Sequence, residues 1–233
     1  MDVQRRGFLA ALGAGTVAGL TLRPAWAAAA LDDVGIPAKS FPALYGTREF
    51  FIGDTVKKLP QARVAVQPLD NVTARSFSRT LFKSVPEAVA GGSHWSKILD
   101  SARSLDPMLR MKMVNDFTNR MPYIEDIDNY GLRDFWAKTE TFFELGGDCE
   151  DFALAKYKLL QRIGFHPDRM RVVLVVDQKR NRQHAVLAVN ANGKAWMLDS
   201  LNRDVVSHET ALQYRPTVSL SGKRLYLHLP PKA

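Results

Sequence analysis

Three residues of this sequence have the types and the order needed for nucleophilic catalysis: Cys149, His184 and Asp199. Cys149 is the only cysteine, and it follows a Gly-Gly-Asp turn at the predicted start of a helix. The free N–H groups and the positive dipole end of a helix N-terminus favour thiolate over thiol. A histidine that takes the thiol proton, held by a carboxylate, would complete a Cys-His-Asp triad.

Each of these residues also has a purely structural interpretation. A lone cysteine is often a small buried hydrophobe. A histidine at the start of a strand is often a surface residue, and an aspartate before a serine often ends a strand. The catalytic interpretation is favoured because the three occur together, with the cysteine at the start of a helix.

The elements predicted around the three residues would bring them together. A helix is predicted over residues 149–163, ended by a glycine at 164. His184 begins a strand over 184–189, and Asp199 stands near the end of the next strand, 194–200. Because Asn192-Gly193 between them favours a tight hairpin, the two side chains should approach each other near one end of an antiparallel pair.

The remaining pattern indicates an α+β protein in which N-terminal helices precede an antiparallel sheet. The Cys-bearing helix would pack on that sheet, as in a papain-like or transglutaminase-like core. Residues 41–51 are interpreted as a loop and a short strand. The three acids of residues 124–131 could bind a cation, but a solvated loop with Asx turns is the favoured interpretation. Further helices are predicted over residues 93–102, 106–120, 133–145 and 207–214, and further strands over residues 63–66, 170–176 and 224–229.

Acidic residues surround the predicted nucleophile. The carboxylates of Asp148, Glu150 and Asp151 should raise the pKa of the thiol and oppose the helix dipole. A bound Ca²⁺ would neutralise them, since calcium prefers hard oxygen ligands. The alternative is that the three acids only cap the helix and complement its dipole, with Asp148 as the N-cap.

Two lysines of this helix have different predicted surroundings. Lys158 falls with Asp151 on the face predicted to be exposed. Lys156 lies on the apolar face, two turns after Cys149, where a lysine commonly extends its ammonium to the surface. The other histidines have no zinc-ligand spacing, and no organic cofactor is indicated.

The first residues are predicted to be a targeting segment. Arg5-Arg6 followed by an apolar run and Ala25-Trp26-Ala27 is typical of a twin-arginine (Tat) signal with cleavage after Ala27. The predicted divisions are this signal at 1–27, an N-terminal extension of uncertain structure at 28–92 and a catalytic domain at 93–233. The net charge of +8 comes from scattered basic residues, which argues against nucleic-acid binding.

Several separated blocks resemble the bacterial transglutaminase-like cysteine peptidase family, which includes the LapG-like adhesin-releasing proteases. The blocks are GGDCEDFA at 146–153, QHAVL at 183–187, LDSL at 198–201 and an upstream segment within 114–139. The resemblance implies a periplasmic endopeptidase in which Cys149 attacks a peptide carbonyl, His184 serves as base and then acid, and Asp199 orients His184.

The resemblance also implies a ligand and partners. Ca²⁺ would be bound by Asp148 and Glu150, and the substrate would be an exported protein such as a large surface adhesin. An inner-membrane cyclic-di-GMP receptor would be a regulatory partner. The Cys149 N–H would contribute to the oxyanion hole, with Trp136 or Asn115 as a candidate side-chain donor.

Two other functions are compatible with the same residues. Transglutamination or amidase-type hydrolysis of another substrate would use the same triad, because acyl transfer to water or to an amine differs only in the acceptor. The second function is that of a catalytically silent module that binds a peptide or a regulator. The presence of all three triad residues argues against it.

Overall fold

The computed structural model of the protein describes residues 41–67 and 102–231. The predicted signal segment, the rest of the N-terminal extension and almost all of the helix predicted over 93–102 lie outside these residues. The helices within them are α1 (Thr55–Lys58), α2 (Arg63–Val66), α3 (Pro107–Thr118), α4 (Asp126–Tyr130), α5 (Thr139–Leu145) and α6 (Cys149–Arg162). No helix of this described part is long and apolar enough to cross a membrane.

One antiparallel sheet of seven strands, in the order β1-β7-β6-β2-β3-β4-β5, forms the other half of the described structure. The α+β prediction is therefore confirmed. β1 pairs with β7, so residues 48–54 of the N-terminal extension belong to the same sheet as the catalytic candidates. The strands are β1 (Arg48–Asp54), β2 (Met170–Asp177), β3 (Arg182–Ala191), β4 (Lys194–Asp199), β5 (Asn202–Ser207), β6 (Tyr214–Ser221) and β7 (Arg224–Leu229).

Helix α6 packs across the middle of this sheet, chiefly on β3, with α3 and α5 beside it. Its Phe152, Leu160 and following Ile163 are at most 2 % exposed and join one core with apolar residues of β2 and β3. Burying a side chain of this size contributes about 1.5–3 kcal/mol to the free energy of unfolding. The predicted packing of the Cys-bearing helix on the sheet is thus confirmed.

The opposite face of the sheet carries a second, smaller core. Val173, Val186 and Met197 lie on it, covered by Leu44 from the turn before β1 and by Ala211 from the turn before β6. Both faces of the central strands are therefore buried, which explains their almost continuous apolar sequences.

The prediction that one face of α6 is exposed is wrong, because eleven of its fourteen residues are buried. Asp151 accepts a hydrogen bond from the Ala137 N–H at 2.7 Å. The Lys158 ammonium donates to the Ala65 and Gln67 carbonyls, which ties the helix to the N-terminal segment. Charged residues usually mark an exposed face, but here Asp151 and Lys158 are buried with hydrogen-bond partners.

Several local predictions are also wrong. Residues 63–66 are helix α2 rather than a strand, and the acidic loop contains helix α4. The helix predicted over 133–145 begins only at Thr139, because the N–H groups of Phe135 and Ala137 bond carboxylates instead of a preceding helical turn. The helix predicted over 207–214 is absent: Ser207 ends β5, Tyr214 begins β6, and residues 208–213 between them form turns. The edge strand β5 had no alternating apolar pattern to reveal it.

Candidate active site

Cys149 is the first residue of α6, where a tight turn delivers it to the core. Gly146 in this turn has φ +83°, and a Cβ there would lie 2.8 Å from Pro122 Cγ, so the turn requires glycine. Asp148 occupies the predicted N-cap position, but its side chain makes no capping hydrogen bond. The N–H groups of the first helical turn have no acceptor within the helix.

The Cys149 thiol is only 7 % exposed and contacts an acid and a backbone donor. Its Sγ donates to Glu150 Oε2 at 2.9 Å. Burial raises the pKa of the Cys149 thiol, and the charges of Glu150 and Asp148 raise it further, as the sequence predicts. The Ala185 N–H bonds the sulfur and opposes this rise. The sulfur therefore lies beside the backbone of the residue that follows His184.

His184 and Asp199 are hydrogen-bonded through His184 Nε2 and Asp199 Oδ1 at 2.8 Å, with both side chains buried. The register of the hairpin accounts for this, because Leu187, three residues after the histidine, pairs with Leu198, just before the aspartate. The Asn192-Gly193 turn has the predicted positive φ values of 54° and 75°. The bond occupies Nε2 and leaves Nδ1 of the imidazole for a second partner.

Further donors fix the Asp199 carboxylate. Leu201 N–H bonds Oδ1 at 2.9 Å, and the Tyr214 hydroxyl bonds Oδ2. Although burial acts to raise it, the pKa of Asp199 is lowered below its ordinary value by the hydrogen bond and charge of His184 and by these two donors. The carboxylate is thus held ionised against the imidazole. Tyr214 comes from β6, and no sequence pattern pointed to it.

Two asparagines of the α3 region clamp the turn that follows Asp199. Asn115 Nδ2 donates to the carbonyls of Asn202 and Arg203 at 3.0 and 2.9 Å. Asn119 Nδ2 donates to the carbonyl of Asp199 at 2.8 Å and also to that of Asn202. Because Asn115 is fully buried and its amide N–H groups are used in this way, its predicted role as an oxyanion donor is wrong.

Trp136, the other candidate oxyanion donor, is also engaged elsewhere. Its Nε1–H donates to Asp134 Oδ1 at 3.0 Å, and its side chain is buried in the main core. The prediction of an oxyanion role for Trp136 is therefore wrong as well.

Acidic side chains next to the thiol form two overlapping groups whose potential ligand atoms lie within 4.8 Å of one another. The first comprises Asp148, Cys149 and Glu150, and the second comprises Asp126, Asp148 and Asp151. The structure thus places the predicted pair Asp148 and Glu150 together and adds two carboxylates to it. The favoured interpretation of Asp126 as part of a solvated loop is wrong, because the residue is only 3 % exposed, and its place in this group agrees with the alternative of a cation-binding loop.

The second group fits a hard cation. One buried oxygen each of Asp126, Asp148 and Asp151 has no hydrogen-bond partner. Burial raises the pKa of Asp148 to about 9 and that of Asp151 to about 7, and neighbouring carboxylates contribute to both increases. Three converging oxygens whose ionisation is this unfavourable are suited to a cation such as Ca²⁺, which would restore their charged form.

Tyr123 and an ion pair lie near the thiol on the side of the acidic segment. The ring of Tyr123 stacks on Phe152 with centroids 6.0 Å apart, and burial followed by the charge of Cys149 raises its pKa. Arg182, at the start of β3, pairs with Glu125 at 2.9 Å, and both side chains are exposed. Tyr123 and Arg182 both interact electrostatically with Cys149, and neither had a recognisable signal in the sequence.

Comparison with known proteins agrees with this geometry. The sequence model for the bacterial transglutaminase-like cysteine proteinases (BTLCP) matches residues 94–224, more than half of the chain. No curated protein gives a significant match. The solved structure of Legionella pneumophila LapG is 25 % identical, with a TM-score of 0.54, and the match covers 69 % of this chain and 90 % of that one.

Two further structures of the Legionella pneumophila protein match equally well, each at 25 % identity and a TM-score of 0.54. The match to the calcium-bound form covers 66 % of this chain and 87 % of that one. The match to the EGTA-treated form covers 69 % of this chain and 87 % of that one. The family match spans the Cys-bearing helix and the hairpin with His184 and Asp199. The chain therefore belongs to the bacterial transglutaminase-like cysteine proteinase family.

Proposed function

We propose that this protein is a cysteine endopeptidase whose triad consists of Cys149, His184 and Asp199. The observation that carries the proposal is the buried His184–Asp199 hydrogen bond beside a sulfur that receives the Ala185 N–H. This arrangement leaves one imidazole nitrogen for the thiol proton. It contains a nucleophile, a base and a group that orients the base.

The reaction follows from these roles. Cys149 Sγ attacks the peptide carbonyl while His184 Nδ1 takes the thiol proton and then passes it to the leaving amine. Water, deprotonated by the same imidazole, then cleaves the acyl-enzyme and regenerates the thiol. Asp199 Oδ1 accepts the Nε2–H bond throughout and stabilises the imidazolium. The N–H of Cys149, which has no acceptor within its own helix, stabilises the oxyanion.

Calcium belongs to the proposal as an activator of the thiol. The residues that would hold it are Asp126, Asp148 and Asp151, with Glu150 at the edge of the same cluster. Its positive charge would lower the pKa of Cys149, which the surrounding acids raise. The calcium-bound and EGTA-treated forms of Legionella pneumophila LapG support this part by similarity.

The substrate and location are proposed from the sequence. The twin-arginine segment with its cleavage motif supports export to the periplasm. The substrate is then another exported protein, such as a large surface adhesin. A cyclic-di-GMP receptor of the inner membrane is the proposed regulatory partner, on the basis of the family resemblance.

Alkylation of the thiol tests the proposal, since Cys149 is the only cysteine of the chain. The protein is labelled with iodoacetamide from pH 4 to 9, with calcium or with a chelator. We expect rapid labelling with calcium at pH values below the ordinary thiol pKa of about 8.5. The chelator should slow it, and His184→Ala should remove the fast reaction at low pH.

A matched control is His166→Ala. His166 bonds the nearby Asp168 N–H, well away from the thiol in the fold, and should not alter labelling. A Cys149 that titrates as a free thiol in the presence of calcium, with a profile unchanged by His184→Ala, would contradict the proposed triad.

A further inference from the structure

Tyr214, the first residue of β6, contacts both members of the His184–Asp199 pair. Its hydroxyl donates a hydrogen bond to Asp199 Oδ2. Its ring lies beside the imidazole of His184, with the two ring centroids 5.7 Å apart and the ring planes inclined by 37°. The residue is only 5 % exposed. Burial and the Asp199 charge raise the pKa of its hydroxyl, so the hydroxyl stays protonated and remains a donor.

The second core of the sheet brings these three side chains together. Val186, two residues after His184 on β3, and Met197, two residues before Asp199 on β4, both belong to this core. Because side chains alternate along a strand, His184 and Asp199 lie on the same face of the sheet as Val186 and Met197. Tyr214 is a member of the same core. Since β2 and β3 lie between β6 and β4 in the sheet, its long side chain crosses this face, past His184, to reach Asp199.

We infer that Tyr214 is a positioning residue of the proposed triad, whose hydroxyl and ring hold Asp199 and His184 in the orientation that leaves His184 Nδ1 for the thiol proton. The inference rests on the proposed function and adds one residue to it. Oδ1 of Asp199 already accepts hydrogen bonds from His184 Nε2 and from the Leu201 N–H. With Tyr214 bonded to Oδ2, the carboxylate cannot rotate without breaking one of these bonds. The adjacent tyrosine ring limits the rotation of the imidazole in the same way.

Removing the hydroxyl has two effects of opposite sign on the thiol, and the direction of the net change identifies the role. Tyr214→Phe takes away one donor to Asp199, which makes the carboxylate more basic, favours the imidazolium and should speed alkylation of Cys149. It also frees the carboxylate to turn away from His184, which should slow the transfer of the thiol proton. A positioning role therefore requires slower alkylation. We expect a decrease of about tenfold, which corresponds to the loss of one hydrogen bond to a charged group.

Two measurements test this role without any peptidase substrate. The first is the rate at which iodoacetamide labels Cys149 at neutral pH in the presence of calcium. The second is proton NMR of the Cys149→Ala protein, in which the thiol plays no part. The His184 N–H that bonds Asp199 should give a far-downfield resonance, which is assigned by its loss on adding His184→Gln. Tyr214→Phe should broaden this resonance and accelerate its exchange with water, because the carboxylate no longer keeps one orientation.

Tyr157→Phe is the matched control, because it removes the same atom from another buried tyrosine. Tyr157 is 1 % exposed, and its hydroxyl accepts the Gly222 N–H in the turn between β6 and β7. Tyr214 begins β6, whereas this turn follows the other end of the same strand. Both substitutions should lower the urea midpoint, since each removes one buried hydrogen bond. Only Tyr214→Phe should change the labelling rate and the His184 resonance.

Slower labelling together with a broadened His184 resonance, both absent from Tyr157→Phe, would support the inference. An unchanged or faster labelling rate, or an unaltered resonance, would overturn it. Equal changes in the two tyrosine variants would overturn it too, because a general loss of stability would then explain them. These outcomes are separate from those for the proposed function. Labelling that responds to His184→Ala but not to Tyr214→Phe refutes the role of Tyr214 alone, and labelling that does not respond to His184→Ala refutes the triad itself.

Discussion

Replacing Asn115 with alanine should loosen the turn that holds Asp199. The substitution removes two hydrogen bonds, of 3.0 and 2.9 Å, to the carbonyls of Asn202 and Arg203. At about 1 kcal/mol for each net hydrogen bond, the free energy of unfolding should fall by about 2 kcal/mol. With a urea m-value of about 2 kcal/mol/M, the midpoint should fall by about 1 M.

Urea unfolding followed by tryptophan fluorescence measures this change, and two further variants sharpen it. Asn115→Asp keeps the size of the side chain but sets carboxylate oxygens against the same carbonyls, so it should lower the midpoint more than alanine does. Asn129→Ala is the control, because its amide makes a single bond of 3.4 Å to the Gly146 carbonyl. Such a long bond should contribute less than about 0.5 kcal/mol.

The competing role for Asn115, that of an oxyanion donor, has a different signature. Loss of such a donor lowers kcat by about 10²–10³ without a comparable loss of stability. An Asn115→Ala protein with an unchanged urea midpoint and a kcat reduced to that degree would refute the clamp. A lower midpoint with an active-site thiol that still alkylates in the presence of calcium would support it.

Three further outcomes are expected. Gly147→Ala should destabilise the fold by about 1–3 kcal/mol and weaken calcium binding in a calorimetric titration, because the new Cβ would lie 2.8 Å from Asp151 Cβ. An unchanged urea midpoint with unchanged calcium affinity would contradict this. Burial and the Arg171 charge lower the pKa of His228 to about 4. As the pH falls, the unfolded state takes up this proton first, so the free energy of unfolding should fall by about 3 kcal/mol between pH 6.5 and 4 because of this residue. The urea midpoint of His228→Gln should depend less on pH in this range, and an equal dependence in both proteins would contradict this. Tyr123→Phe removes a hydroxyl that interacts with Cys149. It should change the rate of Cys149 alkylation while the free energy of unfolding, measured with urea, changes by less than about 0.5 kcal/mol. An identical alkylation profile would exclude Tyr123 from the site.

The cysteine, the histidine and the aspartate could be found from the sequence because each stands at a local signal. Gly146 and Gly147 mark the turn before α6, and Asn192-Gly193 marks the hairpin between β3 and β4. Turn chemistry and apolar periodicity act over a few residues, so they can be recognised without the tertiary structure. The α+β class and the packing of α6 on the sheet follow from the same patterns.

The acidic cluster shows what local patterns could not determine. Asp126 reaches the cluster from α4, while Asp148 and Asp151 come from the start of α6. Two carboxylates of this cluster are satisfied by backbone donors. The Phe135 N–H bonds Asp126 and the Ala137 N–H bonds Asp151, instead of bonding carbonyls of a preceding helical turn. A sequence pattern does not reveal which distant N–H will satisfy a carboxylate, so the extended segment before α5 was missed, and cation binding by the loop that contains Asp126 was considered but not favoured.

The surroundings of Asp199 were decided entirely by tertiary packing. Tyr214 from β6 and Asn119 after α3 both donate hydrogen bonds to it, although both are separated from it in the sequence. The sequence by itself determined which residues can act as nucleophile, base and orienting acid, because turns and hairpins are local. Only the tertiary structure decided which charges and donors surround them, because the pKa values of buried groups depend on neighbours brought together by folding.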